Sequence, residues 1–332
     1  MTTRRDFLAQ TGRGLASLGL ANMVGGLDRL WPNARAVADE QVITILHTND
    51  VHSRIEPFPR DGGRNAGLAG AARRATLIRR IRAAQPHTLL LDAGDVFQGT
   101  PYFNLYKGVL DFRVMSALGY DAMTIGNHDF DAGIDGLLAA REHARFDLIS
   151  ANYDVSGTPL AAHVQPYRIY TVGPARVGVF GLGVMLEGLV PSELFGGVRY
   201  EPPVGVARRM ARRLRREERC DLVICLSHLG NHGYKGEIGD QLLATDVEGI
   251  DLVIGGHSHT FMEEPTRVAH RGRETLVFQV GWAGIFLGRV DFRFRGGVLQ
   301  GAQAAALPVD ARLPQAADAA GLVAPAALTP RA

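Results

Sequence analysis

Cysteine is almost missing from this chain, which carries two thiols among 332 residues. Cys220 and Cys225 stand five apart around the start of the apolar run Leu222 to Leu226. On an extended strand they would lie ~16 Å apart on opposite faces, too far for a disulfide. Neither a disulfide scaffold nor a thiolate metal site is therefore expected, and Cys225 reads as core. Aromatic residues are few, at 7%, and none interleaves with the arginine-rich stretches as a nucleic-acid surface requires. A chain-wide excess of one charge is lacking too. Of 36 basic and 34 acidic residues, five arginines and two aspartates fall in the first 38, so the remainder balances to a net charge of −1. Such a chain has no global attraction to nucleic acid or membrane. What is plentiful is apolar residues, at 46%, and glycine, at 40 residues. That suits a folded α/β protein with many tight strand-to-loop transitions.

The first 38 residues read as a targeting segment. Thr3-Arg4-Arg5-Asp6-Phe7-Leu8 precedes a weakly apolar run, Leu15 to Leu27, too short and glycine-rich to span a membrane. It resembles a twin-arginine (Tat) signal, although Ala9 stands where that family often has lysine. Two Ala-x-Ala sites end at Ala36 and Ala38; the second, preferred, gives a mature start at Asp39. The expected location is periplasmic or extracellular, with no membrane span in the mature chain.

From Gln41 to about Arg295, short apolar runs alternate with amphipathic stretches, the mark of a layered α/β domain. Strands are expected at Val42–Thr48, Thr88–Asp92, Ala122–Ile125, Leu148–Ala151, Val177–Leu182, Leu222–Leu226, Leu252–Ile254, Leu276–Val280 and Gly288–Phe294. The last two have no helix between them, so part of the sheet should be antiparallel. Leu68, Ala71, Ala72, Ala75, Ile78 and Ile81 share one helical face, as do Ala207, Met210, Ala211 and Leu214. Arg73, Arg74, Arg80, Arg208, Arg212 and Arg216 then fall mainly on solvated outer faces. After Gly301 the Ala/Pro-rich composition reads as a flexible tail over 301–332, leaving 39–300 as the folded domain. No internal repeat is present.

Five apolar runs end in candidate ligands: Asp50 and His52 after the first, Asp95 after the second, Asn127 and His128 after the third, then His228, and His257 with His259. In open α/β sheets ligands bind beyond the carboxyl ends of strands, so these loops could converge. Carboxylates mixed with imidazoles suit borderline divalent ions, and the set is long enough for two ions sharing a carboxylate. Asp50-x-His52 and His257-x-His259 would point the same way on extended segments. Gly94, Gly126, Gly255 and Gly256 would permit the sharp turns between them.

Singly these motifs are weak; jointly they resemble the calcineurin-like metallophosphoesterases and, within them, the catalytic domain of the 5′-nucleotidase family. The matching segments are HTNDVH (47–52), GDVFQGTP (94–101), GNHDFD (126–131), LSHLG (226–230), GGHSH (255–259) and FQVGWAGIFLGRV (278–290). The resemblance implies a four-layer α/β/β/α sandwich of two mixed sheets. It further implies that Asp50, His52 and His259 hold one metal and Asn127, His228 and His257 another, with Asp95 bridging. His259 stands where some relatives have Gln, a departure that keeps a ligand and bears on metal preference. Two divalent ions (Mn, Zn, Co or Fe) are the implied cofactors. His128 and Asp131 are the implied catalytic pair of a water-driven phosphoester hydrolysis, with Ser53, Ser227 and Ser258 as loop hydroxyls. For His47 a supporting role to the metals competes with a structural one; His87, His143, His163 and His270 read as surface or core, and for His232 a substrate contact is the lesser of two readings. Asp92, Asn49 and Gln98 should shape the ligand loops, and Asp129 should accept a loop hydrogen bond.

That family usually adds a second domain supplying base-stacking aromatics and phosphate-binding arginines. Its match is not found here, so the expected substrate is a small phosphate ester or nucleotide, with relaxed selection or with a separate nucleotide-binding polypeptide as partner. The competing non-enzyme reading is a metal-binding subunit, which His128 weighs against. A zinc peptidase is disfavoured, since no His-Glu-x-x-His stretch exists.

Overall fold

The computed structural model of the protein describes residues 40–233, 236–270 and 272–322; the expected export segment lies outside them. Its strands in chain order are β1 (Glu40–Thr48), β2 (Thr88–Asp92), β3 (Ala122–Thr124), β4 (Asp147–Ile149), β5 (Tyr153–Asp154), β6 (Val164–Gln165), β7 (Tyr167–Val172) and β8 (Ala175–Gly183). They continue as β9 (Arg199–Tyr200), β10 (Leu222–His228), β11 (Leu252–Gly255), β12 (Thr266–His270), β13 (Arg273–Phe278), β14 (Phe286–Arg295) and β15 (Val298–Pro308). Among the described residues these make a seven-stranded sheet in the order β15-β14-β1-β2-β3-β4-β6 and a six-stranded sheet in the order β12-β13-β11-β10-β8-β7; β5 pairs with β9.

Three apolar cores separate four layers, giving the expected α/β/β/α sandwich. Ile43, Ile45, Leu89 and Leu91 of the first sheet meet Val177, Ile224, Ile254 and Phe278 of the second in the central core. The alternate residues Leu46, Leu90 and Met123 face helices Ala71–Ala84 and Val109–Leu118. Val223, Cys225 and Val253 face helix Pro203–Arg212 and its extension through Leu214. Period-2 alternation thus sends successive side chains to different cores. Strands covered on both faces read as continuous apolar runs, and β10 is buried at every residue. Each fully buried aliphatic side chain contributes about 1.5–3 kcal/mol, and these cores fix where the strands end.

All nine expected strands are present, but the antiparallel pairing arises elsewhere than anticipated. β13 and β14 lie in different sheets. Within the two large sheets the antiparallel pairs are β14 with β1 and β15, β12 with β13, and β7 with β8. β1, β2, β3, β4 and β6 run parallel in one sheet, as do β8, β10, β11 and β13 in the other; of these, β1, β2, β3, β10 and β11 carry the ligand segments at their carboxyl ends.

Two expectations need correction. The stretch after Gly301 is not a tail up to Leu322: residues 301–308 complete β15 against β14, Ala316 N donates to Ala72 O at 3.0 Å, and Asp318 pairs with Arg79. Its alanines gave little apolar signal because the segment is held largely by backbone pairing at a sheet edge. Arg73 and Arg74 are buried rather than solvated, at 6% and 2% exposure. Arg73 Nη1 donates to Gly67 O at 2.7 Å. The Arg74 guanidinium supplies positive charge near the buried Asp92 and Asp111 carboxyls. Arg80, Arg208, Arg212 and Arg216 are exposed as expected. Both cysteines are free and buried, and no helix among the described residues is long and apolar enough to cross a membrane.

Candidate metal centre

β1, β2 and β3 from one sheet and β10 and β11 from the other end at a common rim. Asp50, His52 and His259 each bring a ligand atom within 4.8 Å of the others, and Asp95, His228 and His257 do the same. Asp95 Oδ2 lies 3.0 Å from His228 Nε2 and 4.0 Å from His52 Nε2, so one carboxylate oxygen reaches ligands of both groups. His259 Nε2 is 3.3 Å from Asp50 Oδ1 and 3.0 Å from His52 Nε2. Asn127 is 4% exposed, and the next backbone N–H, of His128, donates to Asp95 Oδ1 at 2.8 Å.

The convergence is not produced by strand alternation. Asp50, His52, Asp95, His257 and His259 all have positive φ, from 49° to 68°, so the Asp-x-His and His-x-His pairs meet through left-handed turns rather than extended segments. A non-glycine residue in that region costs on the order of 1–3 kcal/mol and persists where its surroundings over-determine it. The flanking glycines have two roles. Gly94 takes φ 87° as a turn residue. Gly126 and Gly256 are needed for space, since an added Cβ would lie 2.2 Å from Asp95 Oδ1 and 2.7 Å from His228 Nδ1 respectively.

The donor set fits divalent cations. His52 Nδ1 faces Phe97 O at 3.0 Å and His228 Nδ1 faces Ala93 O at 2.7 Å. A carbonyl only accepts, which assigns each proton to Nδ1 and leaves Nε2 with a lone pair turned into the cluster. Asn127 Oδ1 and His228 Nε2 are buried without a hydrogen-bond partner among the described residues, a costly state unless a cation meets them. The contact between His228 Nε2 and Asp95 Oδ2 is close but lacks hydrogen-bond geometry, as expected of two atoms aimed at one point.

The electrostatics call for positive charge here. Burial lifts Asp95, but His228, followed by His52 and His128, outweighs burial and holds the carboxyl far below the ordinary range. Burial opposes charge on His228, but Asp95 outweighs it and raises the imidazole to about 10. Burial, reinforced by His228, pushes His257 down to about 4. Imidazolium or bound cation can satisfy the same carboxylates, so metal binding should release protons.

His128 stands at the mouth with its side chain 37% exposed, and its Nδ1 meets Asp131 Oδ2 at 2.8 Å. That bond, against partial burial, raises the His128 pKa. Its ring centroid is 5.4 Å from that of His52. Two of the three loop serines are tied locally: Ser227 Oγ donates to Asp240, and Ser258 Oγ accepts from Asn231 N at 2.9 Å. His47 lies between the sheets, edge-on to Phe278 at 5.2 Å, and burial lowers it to about 3. Neither of its ring nitrogens has a hydrogen-bond partner among the described residues, so it is a neutral core histidine. His232 is exposed on its loop.

Sequence reasoning understated the supports. Asp129 accepts four backbone N–H groups, from Gly126, Asp95, Val96 and Phe97, at 2.8–3.2 Å. It locks the Asp95 and Asn127 loops together, and burial raises its carboxyl to about 7. Asp92 accepts from Gly94 N at 2.8 Å and Thr48 Oγ1 at 2.5 Å. Asn49 Nδ2 donates to Asp50 Oδ2 at 2.6 Å, and Gln279 Nε2 donates to Gly256 O at 2.7 Å. Asp92, Asn49 and Asp129 stood out as polar residues beside ligand motifs, whereas Gln279 lies 20 residues after His259 and had no such signal.

Known proteins share this arrangement of sequence and fold. The calcineurin-like phosphoesterase family model matches residues 43–261. The chain is 38% identical over 295 residues to the 5′-nucleotidase of Bos taurus, covering 81% of this chain and 49% of that protein. It is 33% identical over 303 residues to the trifunctional nucleotide phosphoesterase protein YfkN of Bacillus subtilis, covering 81% and 19%. The solved 5′-nucleotidase precursor from Thermus thermophilus superposes with a TM-score of 0.76 at 34% identity, covering 84% of this chain and 57% of that one. The chain thus spans about half the length of the 5′-nucleotidases it matches.

Proposed function

The chain belongs to the calcineurin-like phosphoesterase family, and from that premise we propose that it is a dinuclear-metal phosphoester hydrolase of the 5′-nucleotidase kind. Asp50, His52 and His259 are assigned to one cation and Asn127, His228 and His257 to the other, with Asp95 between them. The observation that carries this reading is the reach of Asp95 Oδ2 to His228 and His52 at once. When bound, the cations supply charge for the phosphoryl oxygens and make water nucleophilic near neutral pH.

The chain's own residues do the rest. Asp131 accepts from His128 Nδ1 and favours the imidazolium, in which Nε2–H is the donor presented to a phosphoryl oxygen or a departing alkoxide. The Asp129 carboxylate holds the Asp95 and Asn127 loops in place, so the donors need no reorganisation when substrate arrives. No covalent nucleophile is required.

The proposed substrates are small phosphate monoesters and nucleoside 5′-phosphates, with cyclic phosphodiesters as a further class. Weak base selectivity is proposed for the chain by itself; the alternative is a separate polypeptide that supplies the base contacts. Export by the twin-arginine route rests on Arg4 and Arg5, and changing both to Lys should trap the precursor inside the cell.

The test is hydrolysis of an ester panel by the purified full chain loaded with Mn2+, Zn2+ or Co2+. Expected is release of phosphate from aryl phosphates and from nucleotides with little preference among bases, abolished by chelation. Poor activity on nucleotides that rises on adding a partner supports the alternative, strong base discrimination by the single chain contradicts both, and inertness towards every phosphate ester overturns the activity itself.

A further inference from the structure

The four histidines of the centre are not held alike. His52 and His228 each have Nδ1 anchored on a backbone carbonyl, Phe97 O or Ala93 O. Among the described residues no such carbonyl meets Nδ1 of His259. Its side chain is 38% exposed, and its backbone is left-handed at φ 50°. Its Nε2 meets His52 Nε2 and Asp50 Oδ1, but neither burial nor a carbonyl at Nδ1 fixes the plane of the ring. What lies parallel to the ring plane is the indole of Trp282, with centroids 5.6 Å apart and planes 4° from parallel. That is an offset stack.

Trp282 sits on a strap tied to both ligand loops of this group. Ala283 N donates to Asp50 O at 2.7 Å, and Asn49 Nδ2 donates to Gly281 O at 2.6 Å. Gly281 N donates to Thr260 O at 2.9 Å, one residue beyond His259. Only glycine fits at 281, where φ is 79° and a Cβ would come within 2.2 Å of the Phe261 ring. The indole is braced by Phe58, edge-on at 5.9 Å, and Arg54 covers the Phe58 ring at 4.3 Å.

We propose that Trp282 is a positioning residue whose indole plane fixes the His259 imidazole and thereby sets the metal affinity of the Asp50–His52–His259 group. The inference rests on the reading of His259 as a metal ligand. An imidazole that donates its Nε2 lone pair to a cation becomes electron-poor, and an aromatic face parallel to it stabilises that state. The stack therefore favours the metal-bound ring over the free one. It does for His259 what a backbone carbonyl does for His52 and His228, without requiring a particular Nδ1 partner. The other group, built on Asp95, His228 and His257, has no part in the stack.

Calorimetric titration of the metal-stripped full chain with Co2+, read together with the Co2+ absorption bands, tests this. Trp282→Leu keeps an apolar side chain without a ring plane, and Trp282→Phe restores a plane. The leucine variant should weaken one of two binding events by about 10- to 100-fold, the usual cost of losing a ligand's support, and leave the other unchanged. The phenylalanine variant should recover most of that loss. In a His259→Gln background, Trp282→Leu should add almost nothing, because the ring it positions is gone. Thermal unfolding of each metal-free variant separates misfolding from this effect; if the leucine variant misfolds, Trp282→Met, also apolar and without a ring plane, takes its place beside Trp282→Phe and in the His259→Gln background. Two wild-type binding events with Trp282→Leu would overturn the role of Trp282 alone. Absence of any Co2+ binding by the parent chain would instead overturn the metal-centre reading.

Discussion

The sheets and the rim at their carboxyl ends are built on opposite rules. In the sheets residues follow local preference: β10 is buried throughout and apolar from Leu222 to Leu226, and Ile43, Leu46 and Leu90 alternate between cores by the strand period. At the rim, Asp50, His52, Asp95, His257 and His259 take left-handed backbone angles. There Asn127 Oδ1 is buried without a partner among the described residues, and Asp129 is a carboxyl raised to about 7 by burial. Strain and unsatisfied polar groups collect where a protein acts, and the ordered sheets hold them in place.

If the rim exists for chemistry, its members should separate from one another under mutation. His128→Ala should keep both metals while turnover falls by on the order of 10² to 10³, the scale of one lost proton donor or charge stabiliser. Elemental analysis reads the metals, and rates on an aryl and an alkyl phosphate read the chemistry. The alkyl ester, with its poorer leaving group, should lose more. Metal loss in this variant would make His128 a ligand.

Asp129→Ala sharpens the contrast from the structural side. It strips four backbone N–H groups of their acceptor, and an unsatisfied buried group costs about 1–3 kcal/mol. We expect a lowered Tm together with reduced metal content, since the Asp95 and Asn127 loops lose their common anchor. Wild-type metal content in a destabilised variant would limit Asp129 to folding.

A smaller effect concerns pH. The Asp131 bond raises His128 above the ordinary 6.5. A raised histidine keeps its charge below the unperturbed value and loses it as pH rises through the folded value, so acid assistance by His128 should fade on the alkaline side. Asp131→Asn removes the main cause of the shift and should move the alkaline limb of the kcat profile to lower pH. An unmoved limb assigns that titration to another group.

The smallest effect is expected in the sheets. Ile45→Val in the central core should cost about 0.5–1.5 kcal/mol and leave metal content unchanged, as thermal unfolding and elemental analysis would show. Coupled loss of metal would mean that rim and sheets are not separable.

The same contrast explains what the sequence made legible. Apolar runs revealed nine strands because burial on both faces demands them, and the ligand motifs stood out because each follows such a run. The β15 strand was hidden by its alanines, which pair through backbone bonds without an apolar signature. Parity gave no hint that β13 and β14 leave for different sheets. The inward turn of Arg73 and Arg74 was hidden because helical periodicity does not show the Gly67 carbonyl that Arg73 meets or the buried carboxyls near Arg74. At the rim, ligand identity was readable but its geometry was not: left-handed turns replace the extended pairs, and the need for Gly126 is the nearness of Asp95 Oδ1. Such contacts join residues far apart in the chain.

The rim is proposed to hold two cations that share Asp95. The most direct test of this is anomalous scattering from crystals of the full chain loaded with Mn2+, beside the same measurement on Asp95→Asn. The account predicts two peaks about 3.5–4 Å apart, the usual spacing of two-metal sites, both in contact with the Asp95 carboxylate and both diminished in the variant. A single peak, or two peaks that persist unchanged in Asp95→Asn, would contradict it.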